Sequence, residues 1–473
     1  MYVRSRGRVV QVMAAFIAAG LTLAVLAAVT AGAAAPGESR AASAARPCAS
    51  SAAARIPQPT SLQLAAAGLK DLPLAPKRKR VDLVAPRFSN STSVTNPLFP
   101  ISKLHSAILN GKVSGKVFRV ETTLLPDTRI IEWRKGQCVR TLVSQYVAYL
   151  DGRIEEVALD FYAQADDGSV WYFGEDVYNY AGGVVRDTSG TWLAGKEGPA
   201  AMIMPGAPKV GDVNRPENIP GLVFEEVAVK EISKTVAGPR GQVKGALVGR
   251  ELHDDGTFSG KVFAPGYGEF FTAHEGDVEA LALAVPTSAL AGVPPSELTR
   301  LLSGANAVFA RAGSKRWQAA SATVGRMRAD WNAQRARVVP PRLVAPTNAG
   351  LAALARAVAA RDSQRARNAA LDVVQAALDL ELSYESPAQI DRARFDLWLR
   401  QTLVDAAARD RAAVSGDLAT LEWIRDRIAH TLDSVEVTRI DTHLERLRDQ
   451  VVDRDLAAAA RTATDLRKVL AAA

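Results

Sequence analysis

Glu175 and Asp176 are adjacent carboxylates at the end of the aromatic run Val170-Trp171-Tyr172-Phe173. Asp160, Tyr162 and Gln164 precede them on a segment that the turn Asp166-Asp167-Gly168 folds back alongside. Two carboxyl groups at a suitable separation, one with a raised pKa and one ionised, could do general acid and base work on a glycoside. The same oxygens could hold calcium. The plainest assignment is structural: Glu175 satisfies backbone donors at a strand end and the rings fill a sheet core. A ligand-contact role would use Tyr162, Gln164, Trp171, Glu175 and Asp176, and an enzyme would use Glu175 with Asp176 or Asp160.

Other chemistries lack their residues. The five histidines, His105, His253, His274, His430 and His443, are scattered without His-x-x-x-His or Glu-x-x-His spacing, so helix-borne zinc or di-iron sites are not expected. His253-Asp254-Asp255-Gly256 reads as a hairpin turn. No Gly-x-Ser-x-Gly elbow, phosphate loop or dinucleotide fingerprint occurs, and no cofactor or metal is expected. Cys48 and Cys138 are the two cysteines. They can pair in an oxidising compartment, or one can be a buried thiol and the other an adventitious exposed one; no Cys-x-x-Cys spacing supports redox chemistry.

These side chains must be positioned by strands. Between residues 111 and 273 the pattern has period two, with β-branched and aromatic residues and turns at short intervals. Val157, Leu159 and Phe161 alternate with Asp160 and Tyr162 on the outgoing arm of the clearest hairpin. Such alternation predicts an antiparallel sheet with one wet face. After Pro286 the composition turns to Ala, Leu, Arg and Asp, and apolar residues repeat at helical spacing, as in Val437, Ile440, Leu444, Leu447 and Val451. Six or seven amphipathic helices joined by short connections predict a bundle, with Trp398 and Trp423 as core wedges. The fold class is therefore α+β, an antiparallel β domain followed by an all-α helical bundle. The expected divisions are a signal peptide over 1–35, a flexible Ala/Ser/Pro/basic linker over 36–95, the β domain over 96–285, a helical hairpin or connector over 286–345 and the bundle over 346–473, with the seam at Val339-Pro340-Pro341-Arg342.

The 473 residues are 48% hydrophobic and 23% charged, a globular composition that excludes a disordered polymer and a multispan membrane protein. Arg4, Arg6 and Arg8 precede an apolar run over 12–29 and the small residues Ala31-Gly32-Ala33-Ala34-Ala35, the order of a secretory signal cleaved near 33–35. If it stays uncleaved, that segment is the membrane contact. The net charge of +8 is a mild bias, and Lys77-Arg78-Lys79-Arg80 lacks the aromatic interleaving of a nucleic-acid site. It fits a solvated linker or contact with anionic lipid or envelope polymer. Nucleic acid is not an expected partner.

The segment 163–176, with Gly190-Thr191-Trp192-Leu193-Ala194-Gly195, Met202-Ile203-Met204-Pro205 and Phe263-Ala264-Pro265-Gly266-Tyr267-Gly268, resembles a widespread group of uncharacterised secreted bacterial proteins and lipoproteins with an AQD-x-x-G-x-VWYFGE pattern. The likeness covers about 96–275, implies export and a β domain, and carries no activity; where the pattern reads Gly-Val-Gly, this chain has Gly266-Tyr267-Gly268. Asp166-x-Gly168-x-x-Trp171 also partly resembles the Asp-box hairpin, a structural device. The functional expectation is a non-catalytic binding or interaction protein of the cell envelope or extracellular space, with the bundle docking a protein or polymer partner. The alternatives are a carboxylate-dependent hydrolase of glycans and a carrier of a lipid or other apolar ligand.

Overall fold

The computed structural model describes residues 55–472; the expected signal segment and Cys48 lie outside them. The chain is an antiparallel sheet followed by a C-terminal run of helices, an α+β protein. Residues 55–95, expected as a free linker, are instead laid against the sheet. Ile56, Leu69 and Val94 are buried, and helix α1 (Ser61–Ala66) starts on a Thr60–Gln63 capping box. Arg80, read from the sequence as part of a solvated basic cluster, is buried against Asp82 at 2.6 Å, and Asp82 in turn accepts from the Arg215 backbone N–H. The physical reason is tertiary: the segment's backbone finds partners on distant strands, Ala75 N–H donating to Glu226 at 2.7 Å and Arg80 bridging to Val213, so polar groups covered there stay satisfied.

The sheet comprises β1 (Ser106–Val113), β2 (Lys116–Arg134), β3 (Gln137–Leu150), β4 (Arg153–Gln164), β5 (Val170–Ala181), β6 (Val184–Asp187), β7 (Trp192–Leu193), β8 (Ala201–Met204), β9 (Val213–Ile219), β10 (Val223–Gly238), β11 (Gly241–His253), β12 (Phe258–Ala264), β13 (Gly268–His274) and β14 (Asp277–Val285). Two meanders, β1 to β6 and β14 back to β9, fan out from the central β1–β14 pair. Their far ends meet. Strand β8 pairs with β5, Asn214 of β9 donates to the Met202 and Ile203 carbonyls of β8 at 2.9 and 3.3 Å, and Trp192 of β7 donates to Glu217 of β9. The sheet is thus rolled around an interior, which removes the long unpaired edges an open sheet would expose.

Eight helices follow among the described residues, against the six or seven expected: α2 (Ser296–Gly313), α3 (Trp317–Gln334), α4 (Pro341–Ala359), α5 (Ser363–Glu381), α6 (Pro387–Ala407), α7 (Arg411–Ile428), α8 (Ser434–Val452) and α9 (Leu456–Ala472). They form four hairpins, each turned at a residue in the left-handed region: Lys315, Arg361, Arg409 and Arg454. In the last three an Asp follows and accepts a backbone N–H in the first turn of the next helix, as an N-cap should. Helix α2 packs on α5 and α6 on α9, so the hairpins combine into two four-helix units. Pro340 and Pro341 open α4 rather than separate two domains, because proline is well tolerated in the first turn of a helix. The boundary expected at 345/346 falls inside α4.

The helices and the outer face of the sheet share one core, in which Ile108, Val147, Tyr149, Val157 and Tyr180 pack with side chains of the bundle. Trp398 stacks on Tyr149 at 5.6 Å, and Trp423 donates to the Tyr180 hydroxyl at 2.8 Å. Within this interface, Glu121 of β2 meets Arg119, Arg394 and Arg427, while Arg394 also holds Asp379 at 2.9 Å and Asp391 at 3.0 Å. Burial opposes the charge on Glu121, yet Arg394, Arg119 and Arg427 together hold its carboxyl well below the usual carboxylate range. Three guanidinium groups balance three carboxylates.

Candidate functional site

Inside the rolled sheet lies a cavity of about 110 Å³. Carboxyl groups reach it from Asp160 on β4, Glu175 on β5, Glu217 on β9, Glu225 on β10, Glu251 on β11, Glu269 on β13 and Glu279 on β14. Lys261 of β12 is the one cationic side chain in its lining, and Tyr146, Tyr162 and Tyr172 add phenol rings. Strand register sets acid directly against acid: Asp160 is paired with Glu175, and Glu217 with Glu225. Such cross-strand pairs cost stability where opposite charges would add it.

A β-bulge makes the site. Asp160 lies opposite Glu175 and Tyr162 opposite Tyr172, so one residue of β4 faces the two residues Phe173 and Gly174 of β5. In a regular strand Tyr172 and Glu175 would point to opposite faces; the extra residue brings both inward and turns Asp176 outward. Gly174 has φ of 117°, and a Cβ there would sit 2.1 Å from the Trp192 carbonyl oxygen. Gly174→Ala should therefore cost about 2–3 kcal/mol through strained φ and the forced shift of β7. Urea unfolding of the purified variant checks this, and an unchanged midpoint would show that the bulge does not need glycine.

The acids are in electrostatic conflict. Burial, then the charges of Glu217 and Asp160, pushes Glu175 well above the usual carboxylate range. Burial likewise lifts Glu217 to about 8, although contacts from Glu175 and Trp192 oppose the shift, and lifts Asp160 to about 7 against the phenols of Tyr172 and Tyr162. Tyr172 donates to Asp160 at 2.7 Å and stacks on Tyr162 with ring centroids 4.9 Å apart. Glu225 and Glu279 are also driven up, by burial first and then by Glu251 and Glu269 respectively. Lys261 stays charged despite burial, because Glu251 and Glu269 lie 3.1 and 3.6 Å from its ammonium. Glu175 Oε1, Glu217 Oε2 and Glu225 Oε2 are buried without a hydrogen-bond partner; carboxyls such as Glu175 and Glu217 lie side by side only when a proton or another cation is held between them.

The sequence-derived candidates divide between the two faces. Asp160, Tyr162 and Glu175 converge on the cavity. Asp176 points away and pairs with Arg129 at 2.8 Å. Gln164 accepts from the Thr95 and Asn96 backbone N–H groups at 2.8 Å, and Trp171 is a buried ring donating to Ser169, within a turn where Asp167 accepts from Ser169. Those two residues hold loops and do not line the cavity. Cys138 is disulfide-bonded; Cys48 falls outside the described residues.

The acids on the later strands escaped the sequence reading, although a signal existed. Glu225 occupies an inward position of the alternating series Val223, Glu225, Val227, Val229, the other three of which are buried. Lys261 likewise precedes the inward Phe263. His253 opens the expected hairpin turn, its carbonyl accepting from the Gly256 N–H at 3.0 Å, but the place of its ring between Glu225 and Ser259, at 2.9 and 2.6 Å, was not expected. A larger open groove of about 660 Å³ at the ends of α6 to α9 is bordered by exposed Arg409, Arg411 and Arg454 and gathers no comparable set of titratable groups.

No family model, curated protein or solved structure matches this chain. What can be said of its chemistry therefore comes from the cavity. Among the described residues no helix is long and apolar enough to cross a membrane.

Proposed function

We propose that this protein is an exported, non-catalytic binding protein whose ligand is a small cation, or the cationic head of a small molecule, taken into the acidic cavity. The observation that carries the reading is the gathering of seven carboxyl groups and a single lysine around one cavity, with buried carboxylate oxygens left unpartnered. An arrangement this unfavourable for folding is retained when a bound charge offsets it. At about 110 Å³, the space suits an ion with a few waters or an ammonium group beside the tyrosine rings, since one water needs on the order of 10–15 Å³ of such volume. An apolar ligand would find carboxyl groups where a lipid carrier offers hydrocarbon. Export is supported by the basic, apolar and small-residue order at the start of the chain and by the disulfide at Cys138, a bond suited to oxidising compartments.

Thermal unfolding at pH 8 with Ca²⁺, Mn²⁺, Zn²⁺, ethylammonium or putrescine tests the reading. At least one should raise the midpoint by several degrees, corresponding to about 2.7 kcal/mol at a hundredfold excess over Kd, and the increment should vanish in Glu175→Gln/Glu217→Gln/Glu225→Gln. No increment with any cation, or the same increment in the triple variant, would overturn it. Turnover of a glycoside panel lost in Glu175→Gln would instead favour a hydrolase using Asp160 with Glu175.

A further inference from the structure

We infer that the corner of the cavity formed by Glu225, Glu251 and His253 is a site for a divalent transition-metal ion of zinc type. The inference rests on the cation reading and narrows its occupant. One donor atom from each of the three side chains lies within 4.8 Å of the others. They come from adjacent strands: Glu225 on β10 is paired directly with His253 on β11, and Glu251 sits two residues before it on the same face. Both carboxylates are 1% exposed, and Glu225 Oε2 is buried without a hydrogen-bond partner.

The ring is already oriented. His253 Nδ1 faces Glu225 Oε1 at 2.9 Å, and Nε2 faces Ser259 Oγ at 2.6 Å. Metal-bound imidazoles commonly donate their second ring N–H to such a partner, so ligation through Nδ1 leaves Nε2–H donating to Ser259. The short contact between Nδ1 and Glu225 needs a proton between them; an entering M²⁺ takes that place and the proton leaves to solvent, with no change of oxidation state. Lys261 holds Glu251 Oε1 at 3.1 Å, which leaves Oε2, 3.9 Å from Nε2 on the Ser259 side of the ring, to turn toward an ion within the 4.8 Å span of the three donors. An imidazole with two carboxylates favours zinc, cobalt or manganese over calcium and magnesium, which prefer all-oxygen surroundings. Glu225 and Glu251 also line the cavity, so a further coordination position opens into it, as in zinc sites with three protein ligands.

Calorimetric titration of the full chain with Zn²⁺ and Co²⁺ tests the assignment. Wild type should bind one equivalent with proton release. Ser259→Ala should weaken binding about 10- to 100-fold, and His253→Asn by more than that. X-ray absorption of the zinc-loaded wild type should show one imidazole among oxygen ligands, a readout independent of whether any variant folds. Absence of zinc and cobalt binding, a bound zinc without imidazole, or undiminished affinity in a folded His253→Asn would overturn the site. If calcium or an organic ammonium still stabilises wild type through Glu175 and Glu217, the metal assignment alone falls; if no cation does, both fall.

Discussion

Replacing Arg394 by Met should lower the unfolding free energy by about 3–5 kcal/mol, the usual consequence of removing one partner from a buried ionic cluster. Arg394 is 1% exposed and contacts Glu121, Asp379 and Asp391. Without it, three buried carboxylates would share Arg119 and Arg427, and the methionine would return only part of the lost packing. The cluster joins β2 to α5, α6 and α7, so the loss falls on the docking of the helices to the sheet. Urea unfolding followed by circular dichroism measures the effect, with Arg409→Ala on the exposed turn of α6 as a control expected within about 0.5 kcal/mol of wild type. A change below about 1 kcal/mol for Arg394→Met would mean that the network is not what couples the two parts. The shared core also means that a chain ending at residue 345 would expose Val147, Tyr149 and Tyr180; removing the bundle is therefore no clean test of its role in binding.

The second large effect is a loss of stability with rising pH when no cation is bound. A carboxyl whose folded pKa lies above its unfolded value contributes most below the unfolded value, and that contribution is lost as the pH rises through the folded value. For Asp160, lifted to about 7, and Glu217, lifted to about 8, the window runs from roughly pH 4 to pH 8 on ordinary carboxyl values. Each group can contribute up to about 1.4 kcal/mol per pH unit inside its window, so the total fall should reach several kcal/mol. Glu217→Gln should flatten the curve and raise stability at pH 8, because a neutral amide replaces a carboxyl that must ionise while buried. A cation that occupies the cavity should restore wild-type stability at the same pH. Unfolding curves across this range check all three statements; constant stability from pH 5 to pH 8 would show that the cavity acids titrate normally.

The hairpin was readable because its alternation and its Asp-Asp-Gly turn are local signals, and so was Asp160 as a partner for Glu175. Asp176 was paired with Glu175 in the sequence reading by simple adjacency. Regular alternation alone would have set Tyr172 and Glu175 apart. Only the bulge at Phe173 and Gly174 decided otherwise, and it depends on β7 approaching the glycine from another part of the chain. The segment 55–95 misled for a similar reason: its composition is that of a tether, while its partners, such as Val213 and Glu226, lie more than a hundred residues away.

By itself the amino-acid order determined what depends on near neighbours: period-two strands, amphipathic helices and the α+β division near Pro286. Tertiary structure alone decided the cavity. Its acids come one by one from seven strands spread between β4 and β14, and each looks like an ordinary polar residue until the sheet rolls up and draws them together, with five of the seven buried.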